Sequence, residues 1–266
     1  MANLEIKLKQ AQLAYQMVAQ MGQFKAGFLA RTAHELRSPI SSLIGLHQLI
    51  LSDLCSSPEE EREFLAQAYQ SAQKLMKNLD EIVAVSKMEY GTDIVELQPL
   101  QLASIFSEIE SRTHLQVANR NLQLQIHPPD ASLAVMADWK RLLQVLINLV
   151  DIAIAYNQEH SIRISAQASE DSPWVQIDID FQCSVSFLSE PIDLLQQIPE
   201  PTPEAARIYS QKLELSPGMK FWLAHTLLEG MQGHLKLLTP ADSEPLMRLQ
   251  CSFKRAAIAE SALELG

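Results

Sequence analysis

Apolar residues recur at three- and four-residue intervals along the first part of the chain. Leu4, Leu8, Ala11, Met17, Met21, Phe24 and Phe28 follow this spacing roughly, with one six-residue step between Ala11 and Met17, which is the period of an amphipathic helix. The pattern predicts one long helix over residues 4–52, kinked at Pro39, which lacks an N–H and crowds the preceding turn. The stretch SSPEEE then signals a new start. Ser57 and Glu60 have capping-box spacing, Pro58 suits the first turn, and three glutamates complement a helix N-terminus. Over residues 58–89, Leu65, Ala68, Ala72, Leu75, Leu79 and Ile82 form a heptad seam. Two long helices on a short link make an antiparallel hairpin. A lone hairpin cannot cover both stripes, so dimerisation into a four-helix bundle is expected.

The pattern changes after Gly91. DIVELQPLQL is extended, residues 102–119 are helical, and LQLQIH (122–127) alternates as a strand does. Residues 138–156 return to helix. SIRISAQA and WVQIDIDF are alternating strands, expected to pair antiparallel. QIPEPTPEAA is a Pro-rich loop, 218–231 a helix, and HLKLL and LMRLQCSF two closing strands. Helices segregated around an antiparallel-rich sheet predict an α+β chain. The expected division is a hairpin domain at 1–92 and an α/β sandwich at 93–266.

Composition narrows the function. The net charge of -11 opposes binding to nucleic acid or an anionic membrane. No run approaches the ~20 apolar residues of a membrane span. The N-terminus MANLEIKLKQAQLAYQ has no apolar leader core, and Cys55, Cys183 and Cys251 are far apart. Reduced thiols in a cytoplasmic protein are expected. Only 8 of 266 residues are glycine, and none lies between Gly91 and Gly218. Loops that cradle phosphate on backbone N–H groups normally need glycine at their turns.

The candidate chemistry starts at His34. On a helical projection it lies roughly 120° from the Met17–Phe28 stripe, on a face with Gly27, Arg31, Ser38 and Ser41, and is expected to meet solvent. A neutral imidazole can accept a phosphoryl group on a ring nitrogen. Glu35 beside it can take or orient the ring proton, and Ser38 one turn on can position a water or a phosphate oxygen.

The string QFKAGFLARTAHELRSPISSLIG resembles the H-box of two-component sensor histidine kinases. Phe28, Leu29, Ala30, His34, Glu35, Leu36, Arg37 and Pro39 match its pattern, and Ser38 keeps the hydroxyl of the family's threonine. The resemblance implies a dimeric helical hairpin with His34 as phosphoacceptor and Glu35 as its acid/base partner. ADWKRLLQVLINLVDIAIAY (137–156) is similar to the family's N-box region, so the second domain looks like a GHKL-type ATP-binding sandwich. Its functional positions depart from the family. The magnesium asparagine falls on Ile152 and the phosphate lysine on Ala155, leaving Asn148 as the cofactor-binding remnant. The adenine-reading aspartate falls on Phe181, with Asp180 one residue early and so on the opposite strand face. The glycines after it fall on Cys183 and Val185. SPGMKF (216–221) keeps only Gly218 of the glycine-rich motif, Pro217 removes a donor there, and Lys220 could supply a charge.

These departures predict no cofactor, with ATP and magnesium binding weak or absent, and no metal site. The expected function is phosphoryl transfer between His34 and the aspartate of a response-regulator receiver domain, in a homodimer formed through residues 1–92. Two alternatives stay open. One is an active ATP-dependent sensor histidine kinase. The other is a non-catalytic pseudokinase scaffold that binds a regulator or heterodimerises with an active histidine kinase.

Overall fold

The computed structural model describes residues 27–92, 94–158, 161–168, 172–183, 215–238 and 246–256, with scattered helical positions between 7 and 22. The QIPEPTPEAA loop and Val185 lie outside the described residues.

Helix α1 spans Phe28–Leu51 and begins after a turn at Gly27, which offers no side-chain cap. It runs on through Pro39, which is buried. Helix α2 spans Pro58–Glu89. Its Ser57 cap accepts the Glu60 N–H at 3.2 Å, and the Glu60 carboxylate in return accepts the Ser56 N–H at 2.7 Å. Near the connecting loop, Leu46 and Leu49 of α1 close a small core with Phe64 and Ala68 of α2.

The seam of α2 differs from the expected one. Ala68 and Ile82 are buried, but Leu65 and Leu79 are exposed. Phe64, Ser71, Asn78 and Val85, again seven apart, are buried instead. Small and amide side chains let α1 approach on that side, and polar residues are invisible to an apolar-periodicity argument. The displaced stripe of Leu65, Met76, Leu79 and Val83 is left outside the hairpin.

After Gly91, which has a positive φ of 66°, the chain enters the α/β part. Strand β1 (Gln98–Gln101) pairs antiparallel with β3 (Ala134–Ala137). Between them lie helix α3 (Leu102–Asn119) and strand β2 (Gln123–Ile126). Helix α4 (Trp139–Tyr156) follows, then β4 (Ser161–Ala168), β5 (Trp174–Gln182), α5 (Pro217–Gly230), β6 (His234–Leu238) and β7 (Leu246–Lys254). The main sheet has the order β2-β4-β5-β7-β6, parallel only between β2 and β4. Val175, Ile177, Ile179 and Phe181 of β5 point to the face that shares a core with Leu142, Leu146 and Leu149 of α4. At the α5–β6 turn a Cβ on Gly233 would stand 2.5 Å from Leu228 Cδ2 and 2.8 Å from the Ser252 carbonyl oxygen, so only glycine fits there.

The core does not stop at the end of the hairpin. Ile82 and Val85 of α2 are buried in the same cluster as the sheet, with Phe28, Leu36 and Met88 packed against it. Helix α5 makes this continuity possible. It is buried almost all round, including Phe221, Trp222, Leu223, Leu227 and Leu228, because it has partners on opposite sides. Among the described residues no helix is long and apolar enough to cross a membrane.

Candidate functional site

Helix α1 carries the three residues expected to act together. His34 is a helical residue whose side chain lies outside the described residues. Glu35 and Ser38 are half-buried, as are Arg31 and Ser41 on the expected solvent face. Part of that burial comes from α5: the Ser216 N–H, just before that helix, donates to Glu35 Oε2 at 3.2 Å. Close by, the rings of Phe28 and Trp222 lie with centroids 4.6 Å apart. The H-box thus meets the segment that aligns with the glycine-rich motif.

That segment is built as a capped helix start. Ser216 accepts the Met219 N–H at 3.3 Å through its hydroxyl, and Pro217 occupies the first turn. Lys220 does not point to an open phosphate position. It is 8% exposed, and its Nζ lies 2.6 Å from Asp151 Oδ2 of α4. Asp151 immediately precedes Ile152, the position matching the magnesium asparagine. Ile152 is fully buried in the core and offers no oxygen to a hard cation.

Asn148, one turn earlier, is 2% exposed. Its Oδ1 accepts Gln144 Nε2 at 2.9 Å, while its Nδ2 has no partner among the described residues. Gln144 also hydrogen-bonds the carboxylate of Glu81 on α2. Burial raises the Glu81 pKa, against the opposing pull of Lys77, Lys220 and that hydrogen bond; Asp151 raises it further. Ala155, where the family has lysine, is exposed and apolar.

On β5 the two faces separate as alternation demands. Phe181 is 1% exposed within the core. Asp180 points the other way and is gripped by Arg248, Nε to Oδ1 at 2.7 Å and Nη2 to Oδ2 at 2.8 Å. Arg248 Nη1 also reaches Asp178 Oδ2 at 3.1 Å. Desolvation raises the Asp178 pKa, with Gln250 and Arg248 opposing and Asp180 adding to the rise. Burial pushes the Cys183 thiol up to about 11, so it is a poor nucleophile.

Other charged and aromatic side chains of the α/β part hold the fold together. Arg141 returns to its own helix cap, Asp138, and donates to the Ile94 carbonyl at 3.1 Å, fastening the linker. Trp174 packs on His234, centroids 5.0 Å apart. Burial lowers the His225 pKa, and Glu229 lies 3.4 Å away. Sequence reasoning missed Asp151, Glu81 and Ser216. Asp151 left a faint signal, a lone acid between the apolar Val150 and Ile152.

Residues 24–91 match the His Kinase A (phospho-acceptor) domain family. That segment is thus a His Kinase A (phospho-acceptor) domain. It is 28% identical over 229 residues to the autoinducer 2 sensor kinase/phosphatase LuxQ of Vibrio cholerae, a match covering 85% of this chain and 26% of that relative. It is 25% identical over 175 residues to the aerobic respiration control sensor protein ArcB of Escherichia coli, covering 65% and 22% respectively. The chain therefore spans about a quarter of the length of these relatives. In fold it is similar to the histidine kinase AdeS of Acinetobacter baumannii, with a TM-score of 0.60 at 16% identity, covering 83% of this chain and 97% of that one.

Proposed function

We propose that this histidine-kinase-type protein is a phosphotransfer protein that exchanges a phosphoryl group between His34 and the aspartate of a response-regulator receiver, without phosphorylating itself from ATP. The observation that carries this reading is the Lys220–Asp151 pair beside the buried Ile152. Among the described residues, the cation near the phosphate position, Lys220, is held by an internal carboxylate, and the metal position is aliphatic. Phosphoryl transfer from a nucleotide depends on positioning and metal neutralisation, and these residues do not fit a magnesium-bound triphosphate. Asn148 is a single amide, already bonded to Gln144.

Transfer at His34 needs no nucleotide. The lone pair of a ring nitrogen forms the P–N bond as the P–O bond to the receiver's aspartate breaks, its electron pair leaving on that carboxylate. Glu35 orients the ring and holds the proton of the other nitrogen, and Ser38 stands one turn away for a phosphoryl oxygen. The reaction is reversible, so the same residues serve either direction. The exposed apolar stripe of Ile40, Ile44, Leu65, Met76, Leu79 and Val83 supports a homodimer through residues 1–92. Together with the acidic charge it supports a protein that binds protein partners rather than nucleic acid.

The test pairs two incubations. A phosphorylated receiver domain should label wild-type protein and leave His34→Ala unlabelled, whereas labelled ATP with magnesium should label neither. Failure of every receiver tried, or ATP-dependent labelling of His34, would overturn the reading.

A further inference from the structure

One side of the main sheet shares the core with α3, α4 and α5, through residues such as Ile164 of β4, Ile179 of β5 and Leu249 of β7. Alternation turns their neighbours to the other side. All the charged residues of the five strands stand there: Arg163, Asp178, Asp180, Lys236, Arg248 and Lys254. This side faces away from α5, and so away from the hairpin that α5 meets.

The middle of this side is a polar layer already joined to itself. Arg248 holds Asp180 through two hydrogen bonds and reaches Asp178 as well. Gln250 Nε2 donates to Asp178 Oδ1 at 2.9 Å, and Gln167 Nε2 to Asp178 Oδ2 at 3.3 Å. Both carboxylates are satisfied within the sheet and hidden, Asp178 at 2% exposure and Asp180 at 5%. What this side presents outward is therefore cationic. Arg163, Lys236 and Lys254 are exposed. Lys254 Nζ donates to the neutral amide of Gln232 at 2.7 Å, and among the described residues Arg163 and Lys236 have no ion pair. Trp174, the cross-strand partner of Lys254, adds a half-buried aromatic ring at the same end. A positive face has thus been set on a chain whose net charge is -11.

We propose that this outward side of the sheet is a docking surface for an acidic segment of a partner protein, held by Arg163, Lys236 and Lys254 beside Trp174. Charge complementarity names the occupant: the exposed cations select carboxylates and steer them in, and the acidic remainder of the chain repels a long polyanion such as nucleic acid. Tryptophan and arginine are also the side chains on which protein interfaces most often depend. Arg163 and Lys236 stand three strands apart and two residues out of register. That is a separation of about 16 Å at ordinary strand spacing and rise, which an extended segment covers in about five residues. Acidic residues about five positions apart therefore match the two cations. The docked segment leaves the His34 face of the hairpin open, so a receiver and this partner can be bound together.

The test uses the full chain and a fluorescein-labelled peptide of about ten residues, rich in serine and threonine, with two glutamates about five positions apart. Anisotropy follows binding, and backbone amide NMR shifts locate it. The peptide should bind, shift the amides of β4 to β7, and bind more weakly as salt is added. Arg163→Glu with Lys236→Glu should weaken it about tenfold, and the milder Arg163→Gln with Lys236→Gln by less. Both pairs replace exposed side chains and leave the core untouched. A control peptide with glutamines in place of the glutamates should lose affinity to a similar degree. No binding up to about 1 mM overturns the proposal. So does equal affinity for the charge-reversed variant, shifts confined to other parts of the chain, or equally tight binding of a single-stranded oligodeoxynucleotide at this face. The charge-reversed variant should still exchange phosphoryl groups with a receiver, so failure here is distinct from failure of His34 in that assay.

Discussion

Replacing Lys220 by methionine tests whether the phosphate-side cation is consumed internally. The substitution keeps the length and most of the volume of the side chain and removes its charge. Side-chain exposure is 10% for Lys220 and 12% for Asp151, so the partner carboxylate would be left largely without water. Removing one member of a buried pair typically costs about 3–5 kcal/mol, because the remaining charge is uncompensated. Asp151 keeps a little solvent, which puts the expectation near the lower figure, about 3 kcal/mol. For a domain of this size each kcal/mol moves the melting midpoint by roughly 2–4 °C. Lys220→Met should therefore melt roughly 6–12 °C lower in calorimetry. The double variant Lys220→Met with Asp151→Leu removes both charges and should recover most of the loss, since the desolvation penalty disappears with the pair. A single-variant loss below about 1 kcal/mol would mean that solvent screens the pair as it does at a surface. The lysine would then be free to meet a phosphate, and the argument against nucleotide chemistry would lose its main support.

Two further outcomes follow from the same geometry. Burial raises the Asp178 pKa above its unfolded value, so the native state holds its proton more tightly. Its stabilisation is then fully present below the unfolded pKa and lost as pH rises through the folded one. Asp178→Asn should flatten that part of the pH–stability curve in urea unfolding, by at most about 1.4 kcal/mol per pH unit, while Arg248 keeps Asp180. An unchanged slope would refute the assignment. Gly233→Ala should cost about 1–3 kcal/mol in the same assay, because its Cβ would meet the Ser252 carbonyl oxygen as well as the movable Leu228; a neutral result would mean the turn relaxes freely.

Legibility in the sequence varied with the range of the cause. Helix α2 and strands β4 and β6 fall within their expected limits, because caps, proline and alternation act within a few residues. Strand β3 was missed: AVMA is a short, mostly buried apolar run, without the alternation that marks a half-exposed strand. The α2 seam was placed one position off at every other contact, since Ser71 and Asn78 face inward without being apolar. Of the candidate site, the H-box was legible as a motif, and the divergent positions Ile152 and Phe181 could be located by alignment with their neighbours.

The sequence by itself determined the succession of elements, the placement of His34, Glu35 and Ser38 on one helix, and the absence of glycines that phosphate loops need. Those properties are local: they depend on which side chains a turn or strand presents and on which backbone angles it can adopt. Only the tertiary structure decided that Lys220 ends on Asp151, that Asp180 belongs to Arg248, and that Glu35 reaches the N–H before α5. Each of these joins distant parts of the chain. A charge in a sequence names what it can attract; which partner it meets, and whether water is excluded between them, is set by how the helices and sheet pack.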